Sequence, residues 1–174
     1  MYRMLSERRS NLHRMTNSAS IDELDVRLLR LLAEEPRIGV LECSRRLSVA
    51  RGTVQARLDR LLARGVVRGF GPEIDPPALG YGVTAFVTME IRQGVGHTAV
   101  ATHLEEIPEV LEAYTVIGAG DMFCRIVARS NADLQRVIDT LVSCKGVVRT
   151  STVIALASQI RPRVLPLLEV AASS

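Results

Sequence analysis

From Ile21 onward the apolar residues keep helical spacing. Leu24, Leu28, Leu31 and Leu32 stand at i, i+4, i+7 and i+8, forming one stripe. Asp22 is placed to cap that helix, with Asp25 at the third helical position, and Ile21 and Val26 are spaced as a hydrophobic staple. Pro36 ends it. A second helix is predicted over 40–47, capped at Gly39, with Glu42 in its first turn and Leu41 and Leu47 turned inward. After a break at 48–50, a third helix runs over 51–64. Val54, Leu58, Leu61 and Leu62 form its apolar side, and Gly65 follows as its C′ residue. A short strand is predicted over 66–70, then a breaker-rich hinge through Gly71-Pro72 and Pro76-Pro77 to Gly80.

The second half changes period. Residues 83–92 alternate, with Ala85, Val87, Met89 and Ile91 on one face and Thr84, Phe86, Thr88 and Glu90 on the other. A helix is predicted over 97–106, stopped by Pro108. Strands follow over 110–117 and 122–129 around the turn Gly118-Ala119-Gly120-Asp121. Asn131 is read as the cap of a helix to 143, and a last strand covers 147–156. The order β-α-β-β-α-β is ferredoxin-like. Residues 161–174 are punctuated by proline and predict no element.

The expected fold class is therefore α+β: an N-terminal helix-turn-helix, winged-helix-like domain and a C-terminal ferredoxin-like domain. The expected organisation is an arm over 1–20, the helical domain over 21–65 and a strand and hinge over 66–82. The ferredoxin-like domain follows over 83–157, and a tail over 158–174. The arm carries alternative start methionines at Met4 and Met15, so an over-extended start is the other reading of it.

Charge sharpens this division. The chain has 174 residues and a net charge of +3, and Lys145 is its only lysine. Residues 37–70 hold eight arginines against Glu42 and Asp59, whereas residues 71–174 carry eight basic and eleven acidic residues. A basic block inside an otherwise neutral to acidic chain is the footprint of phosphate binding, with a solvated charged face as the plainer alternative. A helix-turn-helix sends its third helix into the major groove, N-terminal residues toward the bases. Arg51, Gly52, Thr53, Gln55 and Ala56 are accordingly the base-facing candidates. Arg45, Arg46, Arg57 and Arg60 are candidates for the DNA backbone.

Other classes find little here. No apolar run is long enough to span a bilayer, and the N-terminal arginines precede no apolar core, so a cytoplasmic protein is expected. Cys43, Cys124 and Cys144 lack metal or disulfide spacing and read as buried thiols. His97 and His103 are six residues apart, about 240° around a helix, and cannot share a metal on one face. No catalytic or metal site and no cofactor is expected. Single-strand binding would want stacking aromatics, and residues 37–64 contain none.

Taken together, Ile21-Asp22-Glu23-Leu24-Asp25, Leu28-Leu29-Arg30-Leu31-Leu32, Arg37-Ile38, Glu42-Cys43-Ser44-Arg45-Arg46, Thr53-Val54, Arg57-Leu58 and Arg60-Leu61 resemble the helix-turn-helix of the Lrp/AsnC transcriptional regulators. Gly65-Val66-Val67-Arg68-Gly69-Phe70, Asp75-Pro76 and Leu79-Gly80-Tyr81 resemble that family's strand and hinge. Glu112-Ala113-Tyr114, Gly118, Asp121, Gly146-Val147 and Arg149-Thr150-Ser151-Thr152 resemble its amino-acid-sensing domain. The resemblance runs over about residues 21–157.

It implies a transcriptional regulator that binds double-stranded DNA as a homodimer built through its sheets, assembling to a tetramer or octamer. It also implies an amino acid or similar small-molecule effector at a subunit interface beside the 118–122 turn. Gly118, Gly120, Asp121, Met122, Thr150 and Thr152 are the ligand candidates, Asp121 as partner of an α-ammonium; a plain hairpin turn is the alternative. Ala119, Gly120 and Met122 depart from the acidic and aromatic residues common in that family's turn, and two features of the helix-turn-helix depart as well. Ala50 stands where a capping serine is usual, leaving Ser48 as a substitute cap, and Arg51 where proline is common. The two-domain architecture also resembles siroheme decarboxylases, which would need a haem-like pocket with basic and imidazole groups.

Overall fold

The computed structural model describes residues 21–172, so the expected basic arm lies outside the described residues. The chain divides into two compact units. Among the described residues, one comprises residues 21–72 with 160–172, and the other spans Glu73–Gln159.

In the first unit, α1 (Glu23–Glu34), α2 (Val40–Leu47) and α3 (Arg51–Ala63) form the helix-turn-helix. Asp22 caps α1 as its sequence predicts, in a reciprocal capping box. Asp25 N–H donates to Asp22 Oδ1 at 2.9 Å, and Asp22 N–H to Asp25 Oδ2 at 3.3 Å. Leu28, Leu31, Cys43, Leu47, Val54 and Leu61 make the core. Two positions differ from the predicted stripes. Leu41 is 51% exposed and Leu62 37% exposed. The inward side of α2 is Val40, Cys43, Ser44 and Leu47, at i, i+3, i+4 and i+7, which turns Leu41 away.

Ser48 does not cap α3. It closes α2 in the left-handed conformation, φ 56°, and the first turn of α3 has no side-chain cap. The predicted strand at 66–70 does not form. Gly65, at φ 70°, ends α3 in a Schellman arrangement: Gly65 N–H donates to Leu62 O at 2.9 Å and Val66 N–H to Leu61 O at 2.9 Å. Val67 N–H also bonds Leu61 O, so the donors a strand would need are spent on ending the helix. The C-terminal segment, which suggested no element, forms α6 (Pro166–Ala172). Its Leu168 is buried, and Glu169 ion-pairs with Arg30 of α1.

The second unit contains β1 (Val83–Ile91), α4 (His97–Glu105), β2 (Val110–Thr115), β3 (Met122–Ala128), α5 (Asn131–Val142) and β4 (Val147–Ala155). The sheet order is β2-β3-β1-β4, all neighbours antiparallel. The cap of α5 is Ser130 rather than Asn131, its side chain accepting from Asp133 N–H. Alternation in β1 buries Ala85, Val87 and Met89 with Val100, Leu104, Leu134, Val137 and Leu141 from α4 and α5. Both helices of this unit, α4 and α5, pack on that one face, and among the described residues of the unit no helix covers the other. Phe86 and Phe123 stack on it with ring centroids 5.6 Å apart. Val153, opposite Phe86 in register, is 61% exposed there.

Candidate nucleic-acid interface and effector turn

The three-residue break between α2 and α3 leaves the start of α3 open to solvent. Gly52, Thr53, Gln55 and Ala56 are exposed, while Val54 and Leu58 anchor the helix beneath them. The structure thus gathers the base-facing candidates on one surface. It separates the arginines by the company they keep. Of Arg45, Arg46, Arg51, Arg57 and Arg60, only Arg51 has no ion pair among the described residues.

Arg57 and Arg60 turn back onto α1. Arg57 Nη1 donates to Asp22 Oδ2 at 2.5 Å and to Asp25 Oδ1 at 2.9 Å, and Arg60 Nη2 reaches Asp25 Oδ2 at 2.6 Å. The Asp25 side chain has no exposed surface, so both its oxygens are satisfied by cations and the capping box rather than by water. Arg57 holds the Asp22 carboxyl below its ordinary pKa, and Asp22 in turn raises Arg57. Arg57 and Arg60, the candidates for the DNA backbone on this helix, are thus both bonded within the domain. Arg46 meets Glu35 through both terminal nitrogens, at 2.5 and 3.1 Å, and Glu35 raises its pKa. Arg45 approaches Glu42 at 3.5 Å. Asp22, Asp25 and Glu35 are the ion-pair partners of these arginines that sequence reasoning missed. The capping box accounted for the two aspartates, and no local spacing signals partners 32 to 35 residues away.

In the second unit the 118–122 turn lies against the end of β1. Asp121 N–H donates to Met89 O at 2.9 Å, and Ile91 N–H donates to Asp121 Oδ2 at 2.7 Å. The carboxylate thereby adds one rung to the β1–β3 ladder where the β1–β4 register slips, between Glu90 and Ile91. One oxygen of the proposed ammonium partner is already used. Gly120 is demanded by packing: a Cβ there would lie 2.5 Å from Thr88 Cγ2 and 3.1 Å from Met89 O. The side chain of Met122, another ligand candidate, is packed in the core, 2% exposed. Thr150 pairs with Met89 and Thr152 with Val87, so both point to the helix-covered side of the sheet, half-buried on β4. Gly118 and Asp121 thus stay together in the turn. Thr150 lies across β1 from Met122, in the same row.

The cysteines are unpaired thiols, Cys43 and Cys124 buried; burial pushes Cys124 up to about 11. Among the described residues no group of His, Cys, Asp and Glu could hold a metal. Nor is any helix there long and apolar enough to cross a membrane.

Two family models match this chain: an AsnC-type helix-turn-helix domain over residues 21–62 and an Lrp/AsnC ligand-binding domain over residues 84–165. The HTH-type transcriptional regulator FL11 of Pyrococcus horikoshii is 31% identical over 147 residues, 84% of this chain and 97% of that protein. The chain belongs to the Lrp/AsnC family. Among solved structures, Escherichia coli AsnC superposes with a TM-score of 0.78 at 27% identity, over 84% of this chain and 99% of that one. A Neisseria meningitidis transcriptional regulator in complex with L-Met gives 0.77 at 26%, over 86% and 99%. This Lrp/AsnC protein is a DNA-binding transcriptional regulator. The relatives are named as regulators, and none supports the decarboxylase reading.

Proposed function

We propose that this regulator is a cytoplasmic homodimer that places α3 of each protomer in the major groove of an operator. An amino acid bound beside the 118–122 turn then modulates it. The observation that carries the DNA assignment is the surface at the start of α3, where Gly52, Thr53, Gln55 and Ala56 stand exposed beside unpaired Arg51. Arg45 and Arg46, on the exposed side of α2, serve the phosphates from the rim. Arg57 and Arg60 contribute to the field but are held by Asp22 and Asp25.

Dimerisation is assigned to the helix-free sheet face, where Phe86, Phe123 and Val153 form an apolar centre beside the Glu112–Arg125 ion pair, the composition of an interface core. Paired recognition helices then meet half-sites about one helical turn apart, roughly 34–36 Å, or a multiple. The L-Met complex of the Neisseria relative supports an amino-acid effector for this chain. Gly118 and Asp121, with Thr150 and Thr152 across the sheet, are the groups nearest to such a site. An effector acts only through a difference in affinity between two assemblies, such as dimer and tetramer or octamer.

A thermal-shift screen of the twenty amino acids, followed by sedimentation and operator binding with any hit, tests this reading. A ligand should raise the unfolding midpoint by mass action and alter assembly or DNA affinity. No shift with any amino acid would remove the effector assignment and leave the DNA assignment standing.

A further inference from the structure

Three features of α3 point the same way. First, Gly52 has no internal reason to be glycine. Its φ is not in the left-handed region, and an added Cβ would meet nothing within 4 Å. Glycine inside a helix is destabilising relative to alanine. Ala56, one turn further, lies on the same side, opposite the buried Val54, Leu58 and Leu61. The outward ridge of the first two turns is therefore almost bare, which suits a helix that must come very close to another molecule.

Second, the long cations of this helix beyond Arg51 are drawn aside. Arg57 and Arg60 are bonded to Asp22 and Asp25, so Gln55 is the exposed amide left beside the bare ridge. Third, Gln55 is oriented. Its Nε2 donates to Asp59 Oδ1 at 2.8 Å. An ionised carboxylate only accepts, so the amide nitrogen must face Asp59. The carbonyl oxygen and the second N–H are left side by side at the free edge.

We propose that Gln55, set by Asp59, reads an adenine in the major groove, and that Gly52 and Ala56 provide the clearance for it. Adenine offers an N6 donor beside an N7 acceptor, the complement of that free edge, whereas guanine offers two acceptors and opposes the carbonyl. The Ala56 methyl suits a neighbouring thymine methyl. Asp59 is a positioning residue in this arrangement. The inference rests on α3 being the DNA-reading helix.

The test takes the full chain through selection from a randomised duplex library, then measures binding to the enriched site by fluorescence anisotropy. One adenine of that site, replaced by guanine or by 7-deazaadenine, should weaken wild-type binding about tenfold or more. Gln55→Ala should bind all three duplexes equally. Asp59→Ala should lose most of the preference, and Asp59→Asn, whose amide oxygen still accepts from Gln55, should keep it. An adenine preference that survives Gln55→Ala overturns the proposal, as does an Asp59→Ala profile matching wild type. If wild type enriches no site at all, the assignment of α3 as a reading helix falls with it.

Discussion

Arg57 Nη1 lies 2.9 Å from Asp25 Oδ1, and that carboxylate has no exposed surface. The relationship joins the middle of α3 to the first turn of α1. It gives a cation of the candidate DNA-facing helix an internal task. A fully satisfied buried charge network holds its members in one geometry, and it becomes costly once a partner is missing.

Replacing Arg57 by alanine should therefore act on stability before it acts on DNA. Breaking a buried pair typically costs about 3–5 kcal/mol. Arg57 keeps some exposure and Asp25 retains Arg60, so about 1–3 kcal/mol is expected here, read by urea unfolding. The log–log dependence of operator affinity on salt should change by clearly less than the one unit lost with a phosphate contact. A full unit lost with stability intact would return Arg57 to the DNA backbone.

Acid should open the same clamp. Arg57 keeps the Asp22 carboxyl below its ordinary value of 3.8. A carboxylate lowered on folding contributes stability that is fully present above its unfolded pKa and is lost as pH falls through the folded one. Asp22→Asn keeps the helix cap but not the charge. Wild type should be the more stable at neutral pH, its advantage shrinking below pH 3.8 and vanishing further down. Thermal unfolding of both proteins across this range checks it, and a constant difference would exclude the link.

The helices and the alternating strand were legible because their signals are local: a stripe of leucines, a cap at Asp22, a glycine at 65. The strand at 66–70 was misread because Val66 and Val67 look β-forming, yet their N–H groups serve Leu61. The last helix was missed because Pro166 reads as a breaker, although proline is well suited to a first helical turn. At the candidate site, residue type and spacing indicated which face of α3 is open. They were silent on Asp25 and Asp22, whose partners are long-range, and on the service Asp121 performs for Ile91 N–H.

That service separates two roles of Asp121. Asp121→Ala leaves the Ile91 N–H without its acceptor and should cost about 1–3 kcal/mol. Asp121→Asn keeps an oxygen for Ile91 and removes only the charge. If the carboxylate also pairs with an effector's ammonium, the asparagine variant should fold with nearly wild-type stability and lose the amino-acid shift of the melting midpoint. A retained shift assigns Asp121 to the turn alone.

Gly120 should prove intolerant. Alanine there sets its Cβ 2.5 Å from Thr88 Cγ2, on a strand that cannot easily retreat. Overpacking of this kind typically costs about 1–3 kcal/mol. Adding Thr88→Ser removes that methyl and should recover part of the loss, leaving the 3.1 Å approach to Met89 O. A double-mutant cycle by calorimetry reads the coupling, and additive losses would mean the clash is relieved elsewhere.

The helix-free sheet face makes the most direct prediction about assembly. Val153 stands opposite Phe86 on β4 and is 61% exposed within one chain, so Val153→Asp should leave the fold of a protomer within about 0.5 kcal/mol of wild type. In a dimer built on this face, the same change buries an unpaired carboxylate at the apolar centre, beside the stacked Phe86 and Phe123. Sedimentation equilibrium should then show the variant as a monomer under conditions where wild type associates. Operator affinity should fall with it, because one protomer engages one half-site. A variant that keeps both wild-type mass and wild-type affinity would place the interface on another surface.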